Sequence, residues 1–258
     1  MTGRRSAVKA IGGSLPKTVI GALVASITVC IPGQVSGHAP LRGASPTANT
    51  NLGSAPASVQ LLVGEPGIGA APDDYVHVYD SASRDHVSSV SAATRTNDSL
   101  VTAPLTGVVP GWYVVHWNIA SDDGHPIGGE NGSWWAFGVK GVSKKATTRN
   151  LVMRNAAPPA GLVKSFKTSV NGLRTGLRTI GVPLKWGTVV LASWTVLDAA
   201  DPVFEGARFV WGVKCAKSTC TATGIVPRPA NYRIDLQVRA KTKSGTAVSV
   251  WSTTVTVS

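Results

Sequence analysis

Apolar residues in this chain come in short runs, each closed within a few positions by Gly, Pro, Asp or Ser. Val59-Gln60-Leu61-Leu62-Val63, Tyr75-Val76-His77-Val78-Tyr79 and Trp112-Tyr113-Val114-Val115-His116-Trp117 are dominated by β-branched and aromatic side chains, the types that suit a pleated, half-buried surface. No stretch of comparable length sustains a helical period. The pattern predicts an all-β chain of short strands and turns, closed around its cores as sandwiches or small barrels. Thr188 to Val196, Ala207 to Val213, Tyr232 to Ala240 and Val248 to Val257 are the expected strands of the second half. In the last of these, Val250, Ser252, Thr254 and Val255 blur the alternation and leave its faces unassigned.

Residues 1–37 read as a removable targeting segment. Arg4, Arg5, Lys9 and Lys17 form a basic n-region, Val19 to Ile31 is short and apolar, and Val35-Ser36-Gly37 offers small residues for cleavage. Arg4-Arg5 has the outline of a twin-arginine signal without the aromatic that usually follows, which ranks ordinary Sec export first. Lipidation at Cys30 is disfavoured by the bulky Val29 before it. The mature chain is then expected to begin at His38 and to work outside the cytoplasm, in the periplasm, the envelope or the medium. It contains no later apolar run long enough to cross a bilayer. Lys144-Lys145, Arg149, Arg154 and Ala156-Ala157-Pro158-Pro159 have the composition of an exposed linker. The expected division is one domain over 38–140, a linker over 141–158 and a second domain over 159–258.

Formal charge is split between the halves. Residues 38–138 carry three basic residues (Arg42, Arg84, Arg95) against nine acidic ones, a net of −6, whereas residues 139–258 carry eighteen against four, a net of +14. An acidic first domain suits a cation, and a basic second domain suits an anionic surface. No aromatic stacking motif interleaves the Lys and Arg residues, which sets nucleic acid aside in favour of an anionic envelope polymer or lipid. Only Cys215 and Cys220 survive processing, so in an oxidising compartment a local disulfide is expected ahead of a two-cysteine metal site.

The chemistry gathers at two places. An N-terminal His38 would present an α-amine and an imidazole that chelate one ion, and the amine loses its proton at little cost near neutrality. Far along the chain, Ser121-Asp122-Asp123-Gly124-His125-Pro126 adds a carboxylate and another imidazole. Asp123 and His125 lie two apart, which on an extended segment puts them on one face. Amine, imidazole and carboxylate donors suit the tetragonal plane of copper(II). Asp-Gly is also a common turn dipeptide, so the motif carries weight only together with His38. The remaining histidines, His77, His86 and His116, read as solvated structural residues on polar faces or turns. In Trp134-Trp135 only one ring can enter a core, leaving the other for a domain junction or the metal rim.

Two resemblances join these pieces. His38-Ala39-Pro40-Leu41, Ser45-Pro46, Ala55-Pro56, Val59, Leu61 and Glu65 at one end, with Leu105 to Gly111, Tyr113, Val115, Trp117, Ser121, Asp123-Gly124-His125-Pro126 and Gly128 at the other, resemble the CopC-type periplasmic copper-binding proteins of bacterial copper resistance. That resemblance implies an Ig-like, cupredoxin-like sandwich over residues 38 to about 140, with His38, Asp123 and His125 as Cu(II) ligands and a membrane copper transporter as exchange partner. Two-site members have a methionine-rich Cu(I) loop; only Met1 and Met153 occur here, which implies the one-site variety. Val182-Pro183-Leu184, Ala192 to Asp198, Tyr232 to Ala240, Ser244-Gly245 and Trp251-Ser252 resemble fibronectin type III-like modules, with Trp194 as core aromatic. The combined expectation is a non-enzymatic carrier of one Cu(II), tethered by its basic domain. The alternatives are a copper-dependent polysaccharide monooxygenase with an appended fibronectin-like module, and an adhesion module should the mature chain not begin at His38.

Overall fold

The computed structural model describes residues 40–64, 67–69, 74–88, 94–97, 99–128, 132–141, 148–150, 163–165, 173–184, 187–216, 219–242 and 245–258. Among them every regular element is a strand, as the period-two runs require. The first eight are β1 (Leu41–Ser45), β2 (Asn51–Leu52), β3 (Ser58–Val63), β4 (Tyr75–Asp80), β5 (Thr94–Asn97), β6 (Leu100–Pro104), β7 (Gly111–Asn118) and β8 (Ser133–Val139). They form two four-stranded sheets, β1-β3-β6-β5 and β2-β8-β7-β4. Val59, Leu61, Val76, Val78, Tyr113, Val115, Trp117, Trp135 and Phe137 fill the core between them. The alternation read from the sequence holds: Val76 and Val78 point inward, and His77 lies on the opposite face, directly across from His116.

That opposite face is covered too. Val114 is fully buried, Ala136 is 2% exposed, and both belong with Tyr79 to a second apolar cluster built mainly from residues 173–257. A sheet buried on both faces explains why Trp112 to Trp117 reads as a nearly continuous apolar run.

The second half contributes β9 (Thr148–Asn150), β10 (Val163–Ser165), β11 (Gly176–Pro183), β12 (Thr188–Val196), β13 (Arg208–Ala216), β14 (Thr219–Val226), β15 (Ala230–Thr242) and β16 (Gly245–Val257). Their order is β10-β16-β15-β12-β13-β14-β11-β9. Strand β13 pairs with β12 through Arg208 to Trp211 and with β14 from Gly212 onward, so it passes from one part of the sheet to the other. Trp194 and Trp211 stack at 4.5 Å in the enclosed core. Within the stretch expected as linker, β9 adds in parallel to β11. In β16 the odd-numbered residues from Ala247 to Val257 face inward, among them the polar Ser249 and half-buried Thr253, while Val250 lies on the outer face, and this mixture blurs the alternation. Cys215 and Cys220 are cross-strand partners in the β13–β14 hairpin and form a disulfide.

The same device closes both halves. Tyr113 Oη donates to the carbonyl of Val109 at 2.6 Å, and Tyr232 Oη donates to that of Arg228 at 2.9 Å. A tyrosine near the start of a strand, bonded four residues back, is the tyrosine corner of Ig-like sandwiches.

The halves meet through packed and hydrogen-bonded groups. Phe204 is fully buried against Tyr79 (5.6 Å between centroids), Trp134 (6.3 Å) and the Arg228 guanidinium (5.1 Å). Of the tryptophan pair, Trp135 enters the first core and Trp134 serves this junction. Ser81 Oγ donates to the Pro227 carbonyl at 2.8 Å, and the Asn49 amide donates to Val210 O and accepts from Ile225 N. Buried Asp201 holds the backbone N–H groups of Val203 and Phe204 and pairs with Arg228 at 2.5 Å and Arg84 at 3.5 Å.

Candidate metal centre

Asp123 and His125 sit at the tip of a tight hairpin in which Ile127 N donates to Ile119 O at 2.7 Å. The tip is a turn and not the extended segment expected from the two-residue spacing. Gly124, at φ 82°, takes the left-handed conformation that the turn needs, and its N–H bonds Ser121 O at 2.8 Å. Bending the chain brings His125 Nδ1 to 3.4 Å from Asp123 Oδ1. The same oxygen accepts from His125 N at 3.1 Å and from the hydroxyl of fully buried Ser121. The imidazole remains 62% exposed, while the carboxylate, at 33%, is held by the turn.

His38 lies outside the described residues, but its neighbour Pro40 is placed. Pro40 O accepts from Gly64 N (2.8 Å), Gly64 O from Gly67 N (3.0 Å), and Gly67 O from Asp122 N (3.1 Å). This backbone relay ties the start of β1 to the hairpin tip. A side chain at Gly69 would meet Ser121 O at 2.3 Å, so only glycine permits the loop to lie so close. From Pro40, two further residues reach at most about 7 Å. Ala120 N donates to Asp74 Oδ1 at 2.7 Å, a second anchor for the hairpin. Asp74 and the glycines of 64–69 carry no signal in the sequence beyond loop composition.

Adjacent donors on a square plane with bonds of about 2 Å stand about 2.9 Å apart. The 3.4 Å between Asp123 and His125 is within a small side-chain adjustment of that value. Among the described residues no group of three or more His, Cys, Asp or Glu is arranged to hold a metal.

Of the other histidines His86 is exposed, as its turn suggested, whereas His77 and His116 are half-buried. His116 stacks on Trp134 at 3.6 Å and bonds Tyr75 Oη through Nε2 at 2.9 Å; His77 stacks on Tyr75 at 4.8 Å and meets His86 edge-on at 5.0 Å. His86 returns to this face by bridging Tyr79, a contact that sequence spacing conceals. Partial burial, and secondarily His86, hold the His77 imidazole below its ordinary pKa. Burial raises the phenols of Tyr75 and Tyr79.

Residues 41–132 match the family model of the CopC domain, a span that includes Asp123 and His125. No curated protein matches the chain. Among solved structures, CopC from Methylosinus trichosporium OB3b is 21% identical over 42% of this chain and 98% of its own, with a TM-score of 0.33. PcoC, a methionine-rich copper resistance protein from Escherichia coli, is 23% identical over 40% and 99%, with a TM-score of 0.32. A tandem of titin Ig domains is 10% identical over 87% and 99%, with a TM-score of 0.21. The fibronectin-like reading of residues 159–258 rests on their own sequence.

Proposed function

We propose that the chain, whose residues 41–132 match the CopC domain model, is a copper resistance protein, a binding protein and not an enzyme, that buffers or delivers one Cu(II) outside the cytoplasm. Its ligands are the α-amine and imidazole of a processed His38 with Asp123 and His125. The observation that supports this reading is the backbone relay from Pro40 through Gly64 and Gly67 to Asp122, which links the start of the domain to the base of the Asp-Gly-His turn. The donors are nitrogen and oxygen, the set that a tetragonal Cu(II) ion prefers. A membrane copper transporter is the exchange partner, and the basic second half holds the protein to an anionic envelope surface.

A competition titration tests the site. Protein beginning at His38 is expected to bind one Cu(II) far more tightly than protein extended by a single residue, since the extension removes the amine. Equal affinities would eliminate amine ligation. Ascorbate should release the metal to a Cu(I) chelator, because the proposed ligands include no sulfur; retention of one equivalent of Cu(I), or oxidation of chitin or cellulose by the reduced protein, would instead favour the monooxygenase reading.

A further inference from the structure

The outer face of β12, β13, β15 and β16 collects basic side chains in a defined row. Register places Arg208 beside Thr195, Thr195 beside Arg233 and Arg233 beside Thr254, so the four share one face. Along β15, Arg233, Asp235, Gln237, Arg239 and Lys241 alternate with Tyr232, Ile234, Leu236, Val238 and Ala240, all of which are buried. Arg208, Arg233, Arg239 and Lys241 are exposed. Asp235 is the acid among them, and it is held from within the sheet by Arg233 Nε at 3.0 Å and Ser252 Oγ at 2.5 Å. The other described acids of this half, Asp198, Asp201 and Glu205, fall in the loop between β12 and β13.

The row is long and narrow. Alternate residues of a strand recur about every 6.7 Å, so Arg233 to Lys241 extends roughly 27 Å. A compact anion touches one or two of these groups, whereas a linear polyanion lying along β15 meets Arg233, Arg239 and Lys241, with Arg208 two strands to the side, about 9.5 Å away. Three of the four are arginines, whose planar forks take phosphate oxygens in pairs. Val190, 37% exposed, is the exposed large apolar side chain among the described residues of these strands, beside half-buried Leu191, too little to enter a lipid layer.

We propose that this face binds a linear phosphate-bearing polymer along β15. The inference rests on the reading that the basic half engages an anionic surface, and it gives that reading a place and a ligand chemistry.

Long-chain inorganic polyphosphate is the probe, with polyglutamate and phosphatidylglycerol vesicles as comparisons, all against the full processed chain. Engaging three or four phosphates at a slope of about −0.7 each weakens binding roughly 20- to 50-fold between 50 and 200 mM salt. R239Q/K241Q is expected to lose at least tenfold in affinity and to flatten that slope, R208Q to lose severalfold, and K140Q/R174Q, which removes two exposed charges elsewhere, to stay within twofold. Unchanged melting temperatures confirm that these surface changes leave the fold intact. If the unaltered protein ignores polyphosphate, polyglutamate and vesicles alike, the charge reading and the proposal fall together. Binding that survives R239Q/K241Q, or that K140Q/R174Q weakens as much, overturns the face and leaves the broader reading standing. Tighter binding to vesicles or to polyglutamate than to polyphosphate overturns the phosphate polymer.

Discussion

Replacing Phe204 by alanine tests whether the two halves are one packed body. The ring is fully buried, and burying an aromatic side chain of roughly 150–200 Å² at about 25 cal/mol per Å² is worth about 4–5 kcal/mol as an upper estimate. Measured Phe→Ala losses in cores fall at about 3–5 kcal/mol, so we expect about 4 kcal/mol, or about 8–16 °C in Tm for a body of this size. Stability alone does not say which contact matters. A double-mutant cycle does: F204A and Y79A remove partners 5.6 Å apart in an edge-to-face pair that spans the junction, and their coupling should be about 0.5–1.5 kcal/mol. Urea unfolding of the four proteins, followed by tryptophan fluorescence, supplies the numbers. A loss below about 1 kcal/mol for F204A, or a coupling indistinguishable from zero, would refute the packed junction.

Ser121→Ala removes the buried hydroxyl that steadies Asp123; by analogy with groups that orient metal ligands, it should weaken Cu(II) binding about 10- to 100-fold in a competition titration with little change in far-UV circular dichroism. Replacing Cys215 and Cys220 together by serine opens a short loop and should cost about 2 kcal/mol in denaturant unfolding, with copper affinity unchanged. Because the His77 pKa is lowered in the fold, the unfolded chain takes up that proton first as pH drops below the ordinary value of about 6.5. Stability should therefore fall on the acid side of that point, and His77→Phe should lessen the decline; identical pH profiles for the two proteins would dismiss the effect.

Much of the fold was written in local pattern. The runs rich in β-branched and aromatic residues are β3, β4 and β7 as expected, and Trp194 occupies the core position expected of it. What local pattern could not show is how faces are covered. His77 and His116, alternating with apolar neighbours, looked solvated on a polar face, yet they are half-buried and stack on Tyr75 and Trp134, while His86 stays exposed as its turn suggested and meets Tyr79 at a tilt. Only tertiary pairing brings His86 back to β4. At the candidate centre the residue types were legible, but the geometry was not. Two-residue spacing suggests one face of a strand, whereas Gly124 folds the pair into a turn whose support comes from Ser121, Asp74 and a glycine loop distant in sequence.

The junction around Phe204 also sets a length. Two units on a flexible tether sample a distribution of separations, and a partner met by one of them can be found at many heights above whatever anchors the other. Here Asn49, Ser81 and Arg84 of the first unit are clasped by Val210, Ile225, Pro227 and Asp201 of the second. The chain is therefore a ruler: cargo at the hairpin tip and an anchor on the β15 face would be held at one fixed offset. A receiving protein would then meet any cargo at that stand-off.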